Sequence, residues 1–243
     1  MTGDSDGHEN QQGQGRQPIF LLPASVSALA GLMVAIHIAE TTILNEDALR
    51  AFTIWFGFIP IRILAPDEIP GGWLPLSWSA FTHAFLHAGW DHLLINVAWL
   101  VIFGTPVARR YRATGMLAIF LIGAAAGAVA FAATTLPNVQ ILIGASGGVA
   151  ALTGAAVRFM FQPVVVGRDP DTGELRVLGR RLARLGDLFR EPRTRWFVVI
   201  WVVLNAAVPL LPILTGMDVA IAWQAHLGGF VAGLLLAGLL ERR

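Results

Sequence analysis

Ser146 stands in "ILIGASGGVAAL", residues 141–152, between Gly144 and Ala145 on one side and Gly147 and Gly148 on the other. A serine hydroxyl is a weak nucleophile until a general base within hydrogen-bond reach takes its proton. His226, in "WQAHLGGFVAG", is the candidate base. The glycines around Ser146 admit two readings. Small residues at GxxxG spacing let apolar helices touch. They also leave room for a substrate backbone beside a nucleophile, a supporting role for Gly144 and Gly147. Gly144 and Gly148, Gly229 and Gly233, and Gly123 and Gly127 all have that spacing. Close packing of the segments that carry Ser146 and His226 brings hydroxyl and ring to the distance proton transfer needs.

The other polar residues inside apolar surroundings lie in "THAFLHAGWDHLLIN": His83, His87, His92 and Asn96. His92 and Asn96, four apart, share one face of a helix. Two such donors aimed at one point make an oxyanion hole; the same pair also serves as polar glue between helices. His83 and His87 sit near the outer membrane boundary, where structural histidines are the simpler reading. Three histidines within ten residues raise the possibility of zinc. The zincin pattern requires a glutamate between two histidines four apart on a helix, whereas Ala84, Phe85 and Leu86 separate His83 from His87. No metal is expected, and with no cysteine in the chain thiolate sites and disulfides are excluded.

The elements that position these groups are membrane helices. The chain is 55% hydrophobic and 14% charged, against about 25% charged in soluble domains. Since apolar runs of about 20 residues cross a bilayer, six spans are expected, near 19–39, 88–104, 114–134, 146–161, 196–214 and 219–240. The fourth is short, so Ser146 starts a helix below the outer surface, its amide at the positive end. His226 is placed about seven residues into the last, roughly 10 Å deep. All 17 basic residues are arginines. They cluster after the second span (Arg109, Arg110, Arg112) and in an insert at 162–195, which places both termini in the cytoplasm.

The external connection at 40–82, which includes Glu40, contains an apolar segment at 45–64 too broken by Pro60 to span; it suits the interface. In the insert, "VVVGRDPDTGELRVLG" predicts a hairpin and "RRLARLGDLFR" a basic amphipathic helix on lipid head groups. Residues 1–18 read as a disordered cytoplasmic tail and 19–243 as one membrane domain. No basic array with interleaved aromatics suggests nucleic acid. The absence of lysine points to a GC-rich bacterial genome and hence a bacterial inner membrane.

Three motifs in order, "HAFLHAGWDHLLIN", "GASG" and "AHLGGFVAG", resemble those of the rhomboid family of intramembrane serine proteases, over about residues 19–240. The resemblance implies an all-α, six-transmembrane-helix bundle with an interfacial first external loop. It implies a catalytic dyad of Ser146 and His226, and an oxyanion hole from the Ser146 amide, His92 and Asn96. His87 matches a histidine near the water entrance, and His83 one that supports the external loop. Substrates would be membrane-anchored proteins cut within or beside a transmembrane segment and entering sideways near helices two and five, with no cofactor or metal. The chain departs from the pattern at Ser79, where many members have arginine, at Ala108, where many have an acidic residue, and at Ala150, where some have an aromatic stacked on the histidine. A client-binding membrane protein without catalysis, or a small transporter with a broken helix, is the alternative in another class.

Overall fold

The computed structural model describes residues 22–169, 173–210 and 221–241. The tail at 1–18 and the junction at 211–220 lie outside the described residues. The chain is mostly helical: α1 (Ala24–Thr42), α2 (Glu46–Phe56), α3 (Leu76–Thr82), α4 (Trp90–Trp99), α5 (Thr105–Thr135), α6 (Ser146–Met160), α7 (Pro192–Ala207) and α8 (Trp223–Glu241). A π-helical turn, Leu100–Gly104, carries α4 into α5. Three stretches are long and apolar enough to cross a membrane: Ala24–Thr42, Trp90–Thr135 and Trp223–Glu241. The middle one has 46 residues, about 69 Å as a straight helix, twice the ~30 Å hydrocarbon core. It is not straight, because Arg112 leaves the helical region at φ 61°, ψ 179° and divides it.

Helix α6 is the centre of the molecule. Its sequence, SGGVAALTGAAVRFM, is small or apolar on every side, and Gly147 to Phe159 is buried without a break; a helix that is apolar all round belongs in a core. It packs against α5 and α8 at backbone distance. A Cβ on Gly123 would overlap that of Ala151, and one on Gly154 would overlap the Phe230 carbonyl. By contrast α1 buries one stripe, Val26, Leu29, Met33, His37 and Glu40, at helical spacing. Glu40 therefore belongs to the buried face of α1 and not to the external connection, since the helix continues to Thr42. Leu32, Ile38, Leu94, Ile95, Ile102, Val129, Val203, Leu204 and Leu235 are exposed around the outside, as lipid-facing positions are.

The arginine-rich end is stitched together. Arg158, in the last turn of α6, donates from Nε and Nη2 to Ala183 O (3.0 and 2.7 Å) and from Nη1 to Leu234 O (2.9 Å). Arg110 Nε bonds Glu241 Oε2 at the end of α8 (3.0 Å). The insert forms the antiparallel hairpin β1 (Val164–Arg168) with β2 (Leu175–Arg180). The basic amphipathic helix expected after it is absent: residues 181–184 are irregular, followed by a 3-10 turn at Leu185–Asp187. The reason is that Ala183 gives both backbone groups to Arg158, its N–H to Arg158 O (2.7 Å) and its carbonyl to the guanidinium, so neither is free for a helical ladder. α7 restarts at Pro192, capped by Glu191, which accepts from Thr194 N (2.6 Å); that bond holds the Glu191 carboxyl below its usual pKa.

The external connection is built around Arg62, which is fully buried. Its Nη1 donates to Pro70 O (2.7 Å) and Gly72 O (3.0 Å), and Nη2 to Ile54 O (2.8 Å). Burial lowers the guanidinium pKa from its ordinary value. Replacing the donor by Arg62→Met strands three carbonyls, and the expected loss is about 3 kcal/mol. Thermal unfolding in detergent and proteolysis at residues 57–75 measure it; unchanged profiles would show that the loop does not depend on Arg62.

Candidate active site

The site is set by how the chain enters α6. Ahead of α6, Leu142 pairs with the external connection through Phe58 N→Leu142 O (3.0 Å) and Leu142 N→Phe58 O (2.8 Å). Two residues on, Gly144 N donates to His83 O (2.9 Å). Gly144 has φ +114°, left-handed backbone that glycine alone adopts without strain. A side chain there has no room either, since its Cβ would lie 2.7 Å from His92 Cε1 and 2.8 Å from Nε2. The turn thus does two things: it starts α6 at Ser146, and it lays the backbone just before Ser146 against the His92 ring.

Ser146 is the first residue of α6, and the residue before it, Ala145, supplies no side-chain cap. The first amides of a helix have no intrahelical acceptor, so this end keeps N–H groups and partial positive charge for a ligand. Ser146 itself is partly exposed, whereas Gly147 and Gly148 are buried.

His226 lies in the first turn of α8, which begins at Trp223. It is therefore less deep along its helix than the sequence suggests. The two helices meet at the site: a Cβ on Gly229 would overlap Gly147 O, and one on Gly147 would stand 3.6 Å from Ala225 O. The residue after Ser146 therefore packs against the residue before His226. Among the described residues no hydrogen bond joins the Ser146 hydroxyl to the His226 ring. The ring instead is tied through Nδ1 to Asn205 Oδ1 of α7 at 2.8 Å.

The remaining candidates fall into two groups. His92 and His87 are neighbours, their ring centroids 5.2 Å apart and edge-on. Asn96 is buried and gives one amide hydrogen to His92 O (2.9 Å), keeping a second on the same nitrogen. His87 is 5% exposed with both ring nitrogens buried and unpartnered. His83 is buried, donates from Nδ1 to Ser79 O (2.8 Å), and faces Phe58 of the external connection at 6.2 Å. A pair the sequence reading passed over lies behind them: His37 and Glu40 of α1, 3.3 Å apart and buried. Asn205 was passed over too, although a lone amide in the apolar run "WFVVIWVVLNAAV" is a signal of the kind that picked out Asn96. Among the described residues no cluster of three or more His, Asp or Glu side chains is arranged to hold a metal.

Fold and site together define a helical integral membrane protein with a serine at an uncapped helix start and a hydrogen-bonded histidine on the adjoining helix. The Rhomboid domain family matches residues 76–168 and 177–243, and the chain belongs to the rhomboid family. It is 38% identical over 80 residues to Rhomboid-related protein 3 of Homo sapiens, covering 32% of this chain and 19% of that protein. It is 37% identical over 81 residues to the Mus musculus Rhomboid-related protein 3 (32% and 19%), and 30% over 78 residues to the Mus musculus Rhomboid-related protein 2 (32% and 25%). The matched stretches thus span a fifth to a quarter of these relatives' own lengths. The rhomboid family includes intramembrane serine proteases.

Proposed function

We propose that this chain is an intramembrane serine endopeptidase that cuts membrane-anchored proteins within or beside their transmembrane segments. The observation that carries the reading is the backbone contact of α6 with α8, which sets Ser146 at a helix start beside the turn that bears His226. In this reading Ser146 Oγ attacks the scissile carbonyl while His226 takes its proton and later gives it to the leaving amine. The Ser146 N–H, His92 and the free hydrogen of Asn96 hold the oxyanion. The absence of a Ser146–His226 bond at rest does not oppose this, because catalytic hydrogen bonds often tighten only when substrate binds. No metal or cofactor enters the scheme. Six spans then cross the bilayer: α1, the two halves of 90–135 on either side of Arg112, α6, α7 and α8. The arginine-rich end is cytoplasmic, with both termini, in a bacterial inner membrane. α2, with no buried residue, lies in the outer head-group region.

A fluorophosphonate probe tests the reading directly. Labelling is expected at Ser146 alone in the purified, folded chain, and none is expected in Ser146→Ala, as read by mass spectrometry. A folded wild-type protein that takes no label would favour a non-catalytic client-binding protein or a small transporter.

A further inference from the structure

We propose that Asn205 of α7 is a positioning residue for His226: its amide oxygen holds the ring in the Nδ1–H tautomer and leaves Nε2 as the basic nitrogen. This role rests on the reading of Ser146 and His226 as nucleophile and base. The geometry leaves little choice of hydrogen placement. Asn205 Nδ2 lies 2.8 Å from the backbone carbonyl of Trp201, one turn earlier in α7. A carbonyl only accepts, so the NH2 end of the amide faces Trp201, and the other end, Oδ1, faces His226. That oxygen is 2.8 Å from Nδ1 and carries no hydrogen, so the ring must supply it. A neutral imidazole protonated at Nδ1 has its lone pair on Nε2. The Ser146 proton therefore has one nitrogen to go to, and when it arrives the amide dipole already points its negative end at the cation that forms.

The arrangement is held by a second rung. Trp201 stacks on Phe230 with ring centroids 4.3 Å apart and planes 19° from parallel. Trp201 and Asn205 are one turn apart on α7, as Phe230 and His226 are on α8, so two parallel contacts fix the same pair of helices in register. Ala150 of α6 lies in the same packed cluster as Phe230 and Trp201. The aromatic bulk that Ala150 lacks is thus present on the neighbouring helices. It packs one turn below the histidine, and the ring itself is oriented by a hydrogen bond. A neutral amide does this without burying another charge, which a carboxylate in the same place would do at considerable cost.

The test uses the full chain in detergent at neutral pH, labelled with 15N-histidine, the His226 signals assigned by their loss in His226→Ala. In the wild-type protein Nδ1 is expected to be protonated and Nε2 unprotonated. In Asn205→Ala the two tautomers mix, and kcat for a transmembrane reporter falls about 10- to 100-fold at unchanged KM, part of the roughly 10²- to 10⁴-fold that general base catalysis supplies. Asn205→Asp, which keeps an acceptor at Nδ1, recovers the tautomer and most of kcat. A wild-type ring protonated at Nε2 overturns the proposal even if no Asn205 variant folds. So does Asn205→Ala with wild-type kcat, or with reduced kcat and an unchanged tautomer. Cleavage retained by Ser146→Ala would instead remove the nucleophile assignment and leave the tautomer result standing.

Discussion

Ser146→Ala is expected to reduce cleavage of a transmembrane reporter by about 10⁶-fold, to the background of the assay, because nucleophile and base act as a unit and losing either removes nearly the whole effect. The substitution deletes one oxygen from a partly exposed residue that makes no hydrogen bond among the described residues. Alanine is also the better helix former, so α6 keeps its start and its packing. Thermal unfolding should therefore match the wild type while activity vanishes. His226→Ala should lose activity to a similar extent, and the double variant hardly more than either alone. Additive losses would mean that the two residues do not act together. Cleavage by purified Ser146→Ala would end the serine mechanism for this chain.

Polar groups in apolar runs are costly and stand out, so Ser146, His226, His92 and Asn96 are legible in the sequence as candidates. The start of α6 at Ser146 is legible as well, from the shortness of the apolar run at 146–161. What could not be read was how side chains are satisfied. Nothing in "FVVIWVVLNAAV" says that Asn205 turns toward His226, because that depends on the register of α7 against α8, in which Trp201 also stacks on Phe230. The apolar run that ends near residue 39 leaves Glu40 to the external connection; its partner His37, three residues back on the same face, is what lets it be buried in α1. The helix expected at 180–190 failed for a related reason. Its amphipathic pattern is real, but Arg158 takes the backbone of Ala183 from a distant part of the chain, and local periodicity cannot register that competitor.

The same dependence on helix register makes Gly229→Ala the second large effect. The added Cβ would overlap Gly147 O and stand 2.8 Å from Gly147 C and 3.2 Å from its Cα. Those are backbone atoms of the residue next to Ser146, so no side chain can rotate away and α8 must move off α6. Overpacking of this kind costs about 1–3 kcal/mol, which thermal unfolding in detergent reads. The larger consequence is catalytic: His226 rides on the same turn of α8, and a displacement of about 1 Å between reacting groups costs about 100-fold in rate. Gly31→Ala in α1 is the matched control, since nothing lies within 4 Å of its added Cβ. There the exchange should stabilise the helix by up to about 1 kcal/mol and leave cleavage unchanged. Activity in Gly229→Ala equal to that of Gly31→Ala would mean that the contact of α6 and α8 does not set the distance between serine and histidine. Reduced activity at unchanged fluorophosphonate labelling would place the defect in substrate binding and not in the reacting pair.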